Sequence, residues 1–230
     1  MSILSNLELI RRVPLFSTLT PAQAESVSMA VTKQRFKRGE EIVTQGQQSN
    51  CLSILLTGRA RVMTTDERGR EVILATLGPG DYTGEMSLID NQPHSASVRA
   101  DLQTDVLLLG RTEFARCLGE NSAMAYAVMK GLVQRLRQAD RNIESLALMD
   151  VYGRVARVLI ESATDDSPGR KVINGKLSRQ DVAKMIGSSR EMVSRAIKDL
   201  EEQGFIEVRA DGVTFINDRR NPGRALTRPV

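Results

Sequence analysis

Between about Thr32 and Gly110 the apolar residues gather in short runs, Cys51–Leu56, Ala60–Met63, Glu71–Thr76 and Asp105–Leu109. Thr57-Gly58, Asp66-Glu67-Arg68-Gly69 and Gly78-Pro79-Gly80 separate them. Turn signals about every 8–12 residues between such runs predict a β-sandwich or jelly-roll barrel. Ahead of the strands, Thr20 and Pro21 supply an N-cap and a first-turn proline for a helix reaching about Met29. Past the strands the period lengthens. From Ala123 to Met149 there is no proline and a single glycine, Gly131. Met129, Leu132, Leu136, Ala139, Ile143 and Leu146 recur there at alternating spacings of three and four, the a/d repeat of a coiled-coil seam. Two arrangements bury such a face, packing on the helix's own domain and pairing in a parallel dimer. The length of the seam beside a β-domain favours the dimer.

Asp150 and Gly153 mark a break before another helix to about Ser162, and Asp165-Asp166-Ser167-Pro168-Gly169 reads as an exposed loop. Residues 177–206 then show two short helical patterns joined by a glycine turn. Ser178 caps Arg179–Ile186, whose inner face carries Val182, Ala183 and Ile186. Gly187 makes the turn, Ser188 or Ser189 caps a second helix to about Gln203, and Val193, Ile197 and Leu200 form its buried stripe. This is the helix-turn-helix unit. With the stripe turned inward, Ser189, Arg190, Ser194 and Arg195 face out near the second helix's start, with Glu191 beside them. Arginine donates two bonds to guanine O6 and N7, and a carboxylate accepts from cytosine N4. Arg179 and Gln180 open the first helix, where contacts to phosphates fix register. Phe205–Asn217 reads as a two-stranded wing turned at Asp211-Gly212.

Charge sharpens this picture. The last eighty residues hold 15 Lys+Arg against 11 Asp+Glu, which leaves 17 of each for residues 1–150 from totals of 32 and 28. The whole net charge of +4 therefore lies in the C-terminal part and points to a polyanion partner. Two cysteines, Cys51 and Cys117, cannot build a disulfide framework and suit a reducing cytosol. No apolar run approaches the roughly 20 residues of a membrane span. There is no Ser-His-Asp set, P-loop, GxGxxG or metal-ligand cluster, so the sequence does not read as an enzyme and no metal or required cofactor is expected. The expected fold class is α+β, with an N-terminal sensor over 1–120, a coiled-coil helix and hinge over 121–150, and a DNA-binding domain over 151–230.

Ser188-Ser189-Arg190-Glu191-Met192-Val193-Ser194-Arg195 resembles the recognition helix of the CRP/FNR family of bacterial transcription regulators, and Leu177–Ala183 resembles that family's preceding helix. The resemblance covers most of the chain: a jelly-roll cyclic-nucleotide-binding β-roll, a long dimerisation helix, a hinge at Leu148-Met149-Asp150-Val151 and a winged helix-turn-helix. It implies a cytoplasmic homodimer bound to palindromic double-stranded DNA. In the cyclic-AMP receptor branch the Arg-Glu-then-Arg pattern reads TGTGA-type half-sites, which makes Arg190, Glu191 and Arg195 the base readers. The segment Thr164–Gly169 would be the surface turned to RNA polymerase.

The family's ligand cassette also has a counterpart. Gly84-Glu85-Met86-Ser87-Leu88-Ile89 resembles the turn that holds a phosphate on backbone N–H groups while the glutamate accepts a ribose hydroxyl. Where the family usually shows Pro-Arg-Ser-Ala, this chain has Pro93-His94-Ser95-Ala96. Arginine is always charged and binds phosphate through two parallel bonds, whereas histidine is mostly neutral at pH 7. Losing a charge-assisted contact worth about 1.5–3 kcal/mol weakens an anionic ligand by at least roughly tenfold. Where cyclic-AMP-binding members present hydroxyls to adenine, this chain has Ala139 and Asp140. Asp140 can accept from guanine N1 and N2, or it is a solvated helix residue beside Arg137 and Arg141. The expected effector is cyclic di-GMP. A sensor without ligand, a cyclic-AMP or cyclic-GMP sensor, and a haem held by His94 stand as alternatives; the four-cysteine cluster of the oxygen-sensing branch is absent.

Overall fold

The computed structural model describes residues 6–11, 13–167, 170–173, 177–209 and 212–217. The chain packs as two compact units, Met1–Leu136 and Arg137–Val230.

The first unit opens with α1 (Asn6–Arg11), a 3-10 turn at Pro14–Phe16 and α2 (Pro21–Ala30). α2 starts where the sequence predicts. Thr20 Oγ1 accepts from Gln23 N at 3.3 Å and Gln23 Oε1 accepts from Thr20 N at 3.0 Å, a capping box. Strands β1 (Val31–Phe36), β2 (Glu41–Val43), β3 (Cys51–Thr57), β4 (Ala60–Thr65), β5 (Glu71–Leu77) and β6 (Tyr82–Thr83) lead to the short α3 (Glu85–Asp90). β7 (Ser97–Ala100), β8 (Thr104–Gly110) and α4 (Arg111–Glu120) complete the roll, and α5 (Ser122–Leu148) leaves it. The strands form two antiparallel four-stranded sheets, ordered β1-β8-β3-β6 and β2-β7-β4-β5.

Burial explains why β3 and β8 read as nearly continuous apolar runs. Leu52, Ile54, Leu107 and Leu109 pack against Ile10, Val27, Phe114, Met124 and Val128 on the helical side. Leu55 and Val106 face the other way, into small clusters with Val43, Leu77 and Val98 and with Phe36 and Ala100 from between the sheets. The first sheet is thus covered on both faces, which removes the polar half of the strand alternation.

In the second unit, α6 (Val151–Glu161) follows a short break. Asp150 caps it, its Oδ1 accepting from Gly153 N at 2.8 Å, so Gly153 lies inside the helix rather than in the break. β9 (Thr164–Ser167) and β10 (Arg170–Ile173) form a hairpin. The expected exposed loop from Asp165 is therefore partly a strand: it stays exposed but pairs its backbone with β10, and Pro168 and Gly169 lie outside the described residues. α7 (Arg179–Ile186), α8 (Arg190–Glu202), β11 (Ile206–Val208) and β12 (Thr214–Asn217) complete the unit. The expected two-stranded wing is β11 and β12, joined to β10 and β9 in one sheet of order β11-β12-β10-β9. Asp211, expected at its turn, lies outside the described residues. Val155, Leu159, Ile173, Val182, Ile186, Val193, Ile197, Leu200, Phe205 and Ile216 share one core.

Candidate functional site: a nucleotide sensor and a DNA-reading helix

The polar cluster of the first unit is built around the turn from β6 into α3. Gly84 occupies the left-handed region at φ 95°, and a Cβ there would stand 2.9 Å from the Cys51 carbonyl oxygen. Only glycine meets both demands. The turn sinks Glu85 to 1% exposure. Glu85 Oε1 accepts from Arg135 Nη1 of α5 at 2.5 Å, whereas Oε2 is buried without a hydrogen-bond partner. Burial raises the Glu85 carboxyl above the usual range, and Arg135 opposes that shift. Arg135 also donates to the Tyr82 carbonyl and lies 5.2 Å from the Tyr82 ring centre. Tyr82 Oη is buried without a partner, and a Cβ on Gly131 of α5 would overlap it.

The other expected ligand residues divide. His94 is buried, and its Nε2 lies 2.8 Å from Ser49 Oγ. Ser95 is exposed and Ala96 buried beside it. Ser87 is buried, but its hydroxyl donates to the Gln92 carbonyl at 2.6 Å, and Met86 points to solvent. Asp140 stands exposed on α5 beyond Arg135, in the second unit.

Along α5 the expected seam is largely uncovered. Met129, Leu136, Ala139, Ile143 and Leu146 are exposed. Leu132 differs: it is half-buried against the roll's own core, because that side of the helix turns inward. Its neighbour Val133 is exposed instead, as is Tyr126. Tyr126, Met129, Val133, Leu136 and Ile143 make one apolar stripe, with Asp140 at the same heptad phase.

In the second unit, Ser178 Oγ accepts from Asp181 N at 3.0 Å and Ser189 Oγ accepts from Met192 N at 3.2 Å. Gly187 takes φ 62° between the two helices. Ser189, not Ser188, is the second cap, and Ser188 is half-buried with its N–H on the Ala183 carbonyl. Arg154 of α6 donates to the Ile186 carbonyl at 3.0 Å, and Tyr152 Oη to Gln203 Oε1 at 2.7 Å, so α6 grips both helices of the motif. Arg179 and Gln180 are exposed at the start of α7, and Arg190, Glu191 and Arg195 at the start of α8. Ser194 is half-buried and donates back to the Arg190 carbonyl. Neither Arg190 nor Arg195 forms an ion pair among the described residues. Glu191 is held ionised below the usual carboxylate range, chiefly by its own backbone N–H and the Ser189 hydroxyl.

The chain matches the family model of the cyclic nucleotide-binding domain over residues 33–121 and that of the Crp-like helix-turn-helix domain over 153–221. It is 31% identical over 196 residues to the cAMP-activated global transcriptional regulator Vfr of Pseudomonas aeruginosa, covering 81% of this chain and 90% of that one. The chain belongs to the CRP/FNR family of transcription regulators. Among solved structures, FixK2 from Bradyrhizobium japonicum superposes with a TM-score of 0.71 at 25% identity, covering 87% of this chain and 98% of that one. The c-di-GMP responsive global regulator CLP of Xanthomonas campestris gives a TM-score of 0.73 at 22% identity, covering 86% of this chain and 99% of that one, and speaks for the fold alone.

For a CRP/FNR protein the sequence reading missed Arg135, Tyr82, Gly131, Ser49 and Arg154. Gly131 carried a signal, since a lone glycine inside a helix costs about 1 kcal/mol against alanine and wants a packing reason. The others had none. Arg135 and Glu85 are 50 residues apart, and only the packing of α5 on the roll brings them together.

Proposed function

We propose that the protein is a homodimeric, sequence-specific DNA-binding regulator whose grip on DNA is set by a nucleotide second messenger, with cyclic di-GMP ahead of cyclic AMP. Residues 1–120 act as the sensor, 121–150 as the dimer helix and hinge, and 151–230 as the reader. The observation that carries the DNA half is the pair of exposed, uncommitted arginines, Arg190 and Arg195, at the start of a capped helix packed on its stripe. Arg190, Glu191 and Arg195 read base edges, with Ser189 and Ser194 beside them, while Arg179, Gln180 and Ser188 fix register on phosphates. The apolar stripe of α5 pairs with its copy, which sets two half-sites about one helical turn apart. Ligand at the Gly84–Glu85 turn shifts the packing of the paired helices about Asp150 and so the spacing of the two readers. The exposed β9 segment is the surface for RNA polymerase.

His94 supports cyclic di-GMP over cyclic AMP, because an imidazole that is neutral in the free protein replaces the permanent cation that would hold a single cyclic phosphate, and Asp140 offers a carboxylate to guanine. The second reading, cyclic AMP, has the names of the curated relatives behind it, Vfr among them. Fluorescence anisotropy on a TGTGA-type palindrome at one fixed salt, without nucleotide and with each in turn, separates them. Affinity moved by cyclic di-GMP alone is the expected result, and movement by cyclic AMP alone establishes the second reading. Tight binding indifferent to every nucleotide overturns the sensor half, and no specific binding overturns the reader half.

A further inference from the structure

We propose that nucleotide binding at this sensor is coupled to uptake of a proton by His94; the inference rests on the nucleotide-sensor reading above. His94 is the chain's one histidine, and it is pinned in place. Its backbone N–H donates to the Gln47 carbonyl at 2.9 Å, and its backbone carbonyl accepts from Gly46 N at 2.8 Å. The ring sits against the Gly84 turn, with Cε1 3.9 Å from where a Cβ on Gly84 would stand. An effector seated on that turn meets the imidazole.

Among the described residues, the charged and titratable groups around it are each neutral or already engaged. From β3 comes Cys51, a thiol kept neutral because burial raises its pKa. From α3 comes Glu85, whose carboxylate is held by Arg135 of α5, so the two charges cancel. The loop before β3 contributes backbone groups and the Ser49 hydroxyl, which holds Nε2 at 2.8 Å. The Arg111 guanidinium is already engaged, donating to the carbonyls of Ser87 and Leu88 and to Asn50 Oδ1. Beyond the backbone N–H groups of the turn, a phosphodiester placed there therefore finds an unpaired full positive charge among these groups only when the imidazole is protonated. Protonation also makes both ring nitrogens donors, so one can keep Ser49 while the other serves the ligand.

The sign follows from the two states. In the free protein burial lowers the His94 pKa below its ordinary 6.5. A phosphate beside the ring raises it. The bound form then holds more proton than the free form between those two values. Affinity is greatest below the free pKa, falls as pH rises toward the bound pKa by up to about tenfold per pH unit, and is level above it.

The test is isothermal titration of the full chain with cyclic AMP, cyclic GMP and cyclic di-GMP between pH 5.5 and 8, in two buffers of different ionisation enthalpy. Wild type is compared with His94→Arg and His94→Gln, each checked for an unchanged melting temperature. Wild-type affinity should fall at least roughly tenfold across the range, with heats that depend on the buffer. His94→Arg should bind more tightly with a flat profile, and His94→Gln weakly with a flat one. A flat wild-type profile, or a slope that survives in His94→Gln, overturns the coupling and leaves the sensor reading intact. Binding by His94→Arg but not by wild type at any pH also overturns the coupling alone. Binding by neither overturns both.

Discussion

Glu85 and Arg195 are both charged side chains that the proposed function uses, and the fold treats them in opposite ways. Glu85 is buried, paired with Arg135, and set among groups whose charges cancel or that stay neutral. Arg195 stands exposed with no ion pair among the described residues, beside a glutamate that is also exposed. The difference follows the size of the partner. A small ligand must be enclosed, so its site has to tolerate burial, and a buried charge without a partner is costly. A duplex is met on an open surface, where water solvates the guanidinium until a base or phosphate replaces it.

The sharpest way to break that contrast is at the open end. Replacing Arg190 and Arg195 together by alanine should remove roughly 1–3 kcal/mol of discrimination for each base pair read. Competition anisotropy between the palindrome and scrambled duplex should then show binding with little preference. Stability should stay within about 0.5 kcal/mol, because neither side chain is packed. A preference left intact would mean that these arginines do not read bases. At the buried end, Arg135→Met should instead appear in stability. It strands the Glu85 carboxylate, at about 2–3 kcal/mol, below the 3–5 typical of a fully enclosed pair because Arg135 is partly exposed. Urea unfolding measures it, and Glu85→Gln in the same background should recover most of the loss. A smaller effect belongs to the notch between Tyr82 and α5. Gly131→Ala should cost up to about 2 kcal/mol, overpacking of about 1–3 kcal/mol against Tyr82 Oη less the roughly 1 kcal/mol that alanine gains over glycine in a helix. Tyr82→Phe removes an orphaned hydroxyl, so it should be neutral or stabilising alone and relieve part of the Gly131→Ala penalty. Additive effects in that cycle would show that the hydroxyl and the glycine do not meet.

The reader was legible because its rules are local. Ser178, Gly187 and Ser189 each act on a group at most four residues away, through a cap or a left-handed turn. α2 was legible for the same reason. The seam of α5 was legible only up to its phase. Met129, Leu136 and Ile143 belong to two overlapping heptad stripes, one passing through Leu132 and the other through Val133. The choice between them depends on which side of the helix the roll covers, and that is a property of the packed unit. Thr164–Ser167 read as a loop because its acidic, polar sequence has no strand period. It became the edge of a sheet because β10 offers its backbone and Lys171 an ion pair to Asp165. Charges suit such an edge, since they discourage a second strand from adding to it.

The chain's own order of residues thus determined the β-roll, the long helix, the helix-turn-helix with its caps, and the exposed basic start of α8. Each follows from periodicity or from contacts within one turn. The tertiary structure alone decided that Glu85 meets Arg135, that Tyr82 presses on Gly131, that Ser49 holds His94, and that Arg154 reaches the end of α7. Those pairs join residues 32 to 50 positions apart. Chain separation of that length leaves no local pattern, and only the shared burial of two surfaces brings such groups into reach.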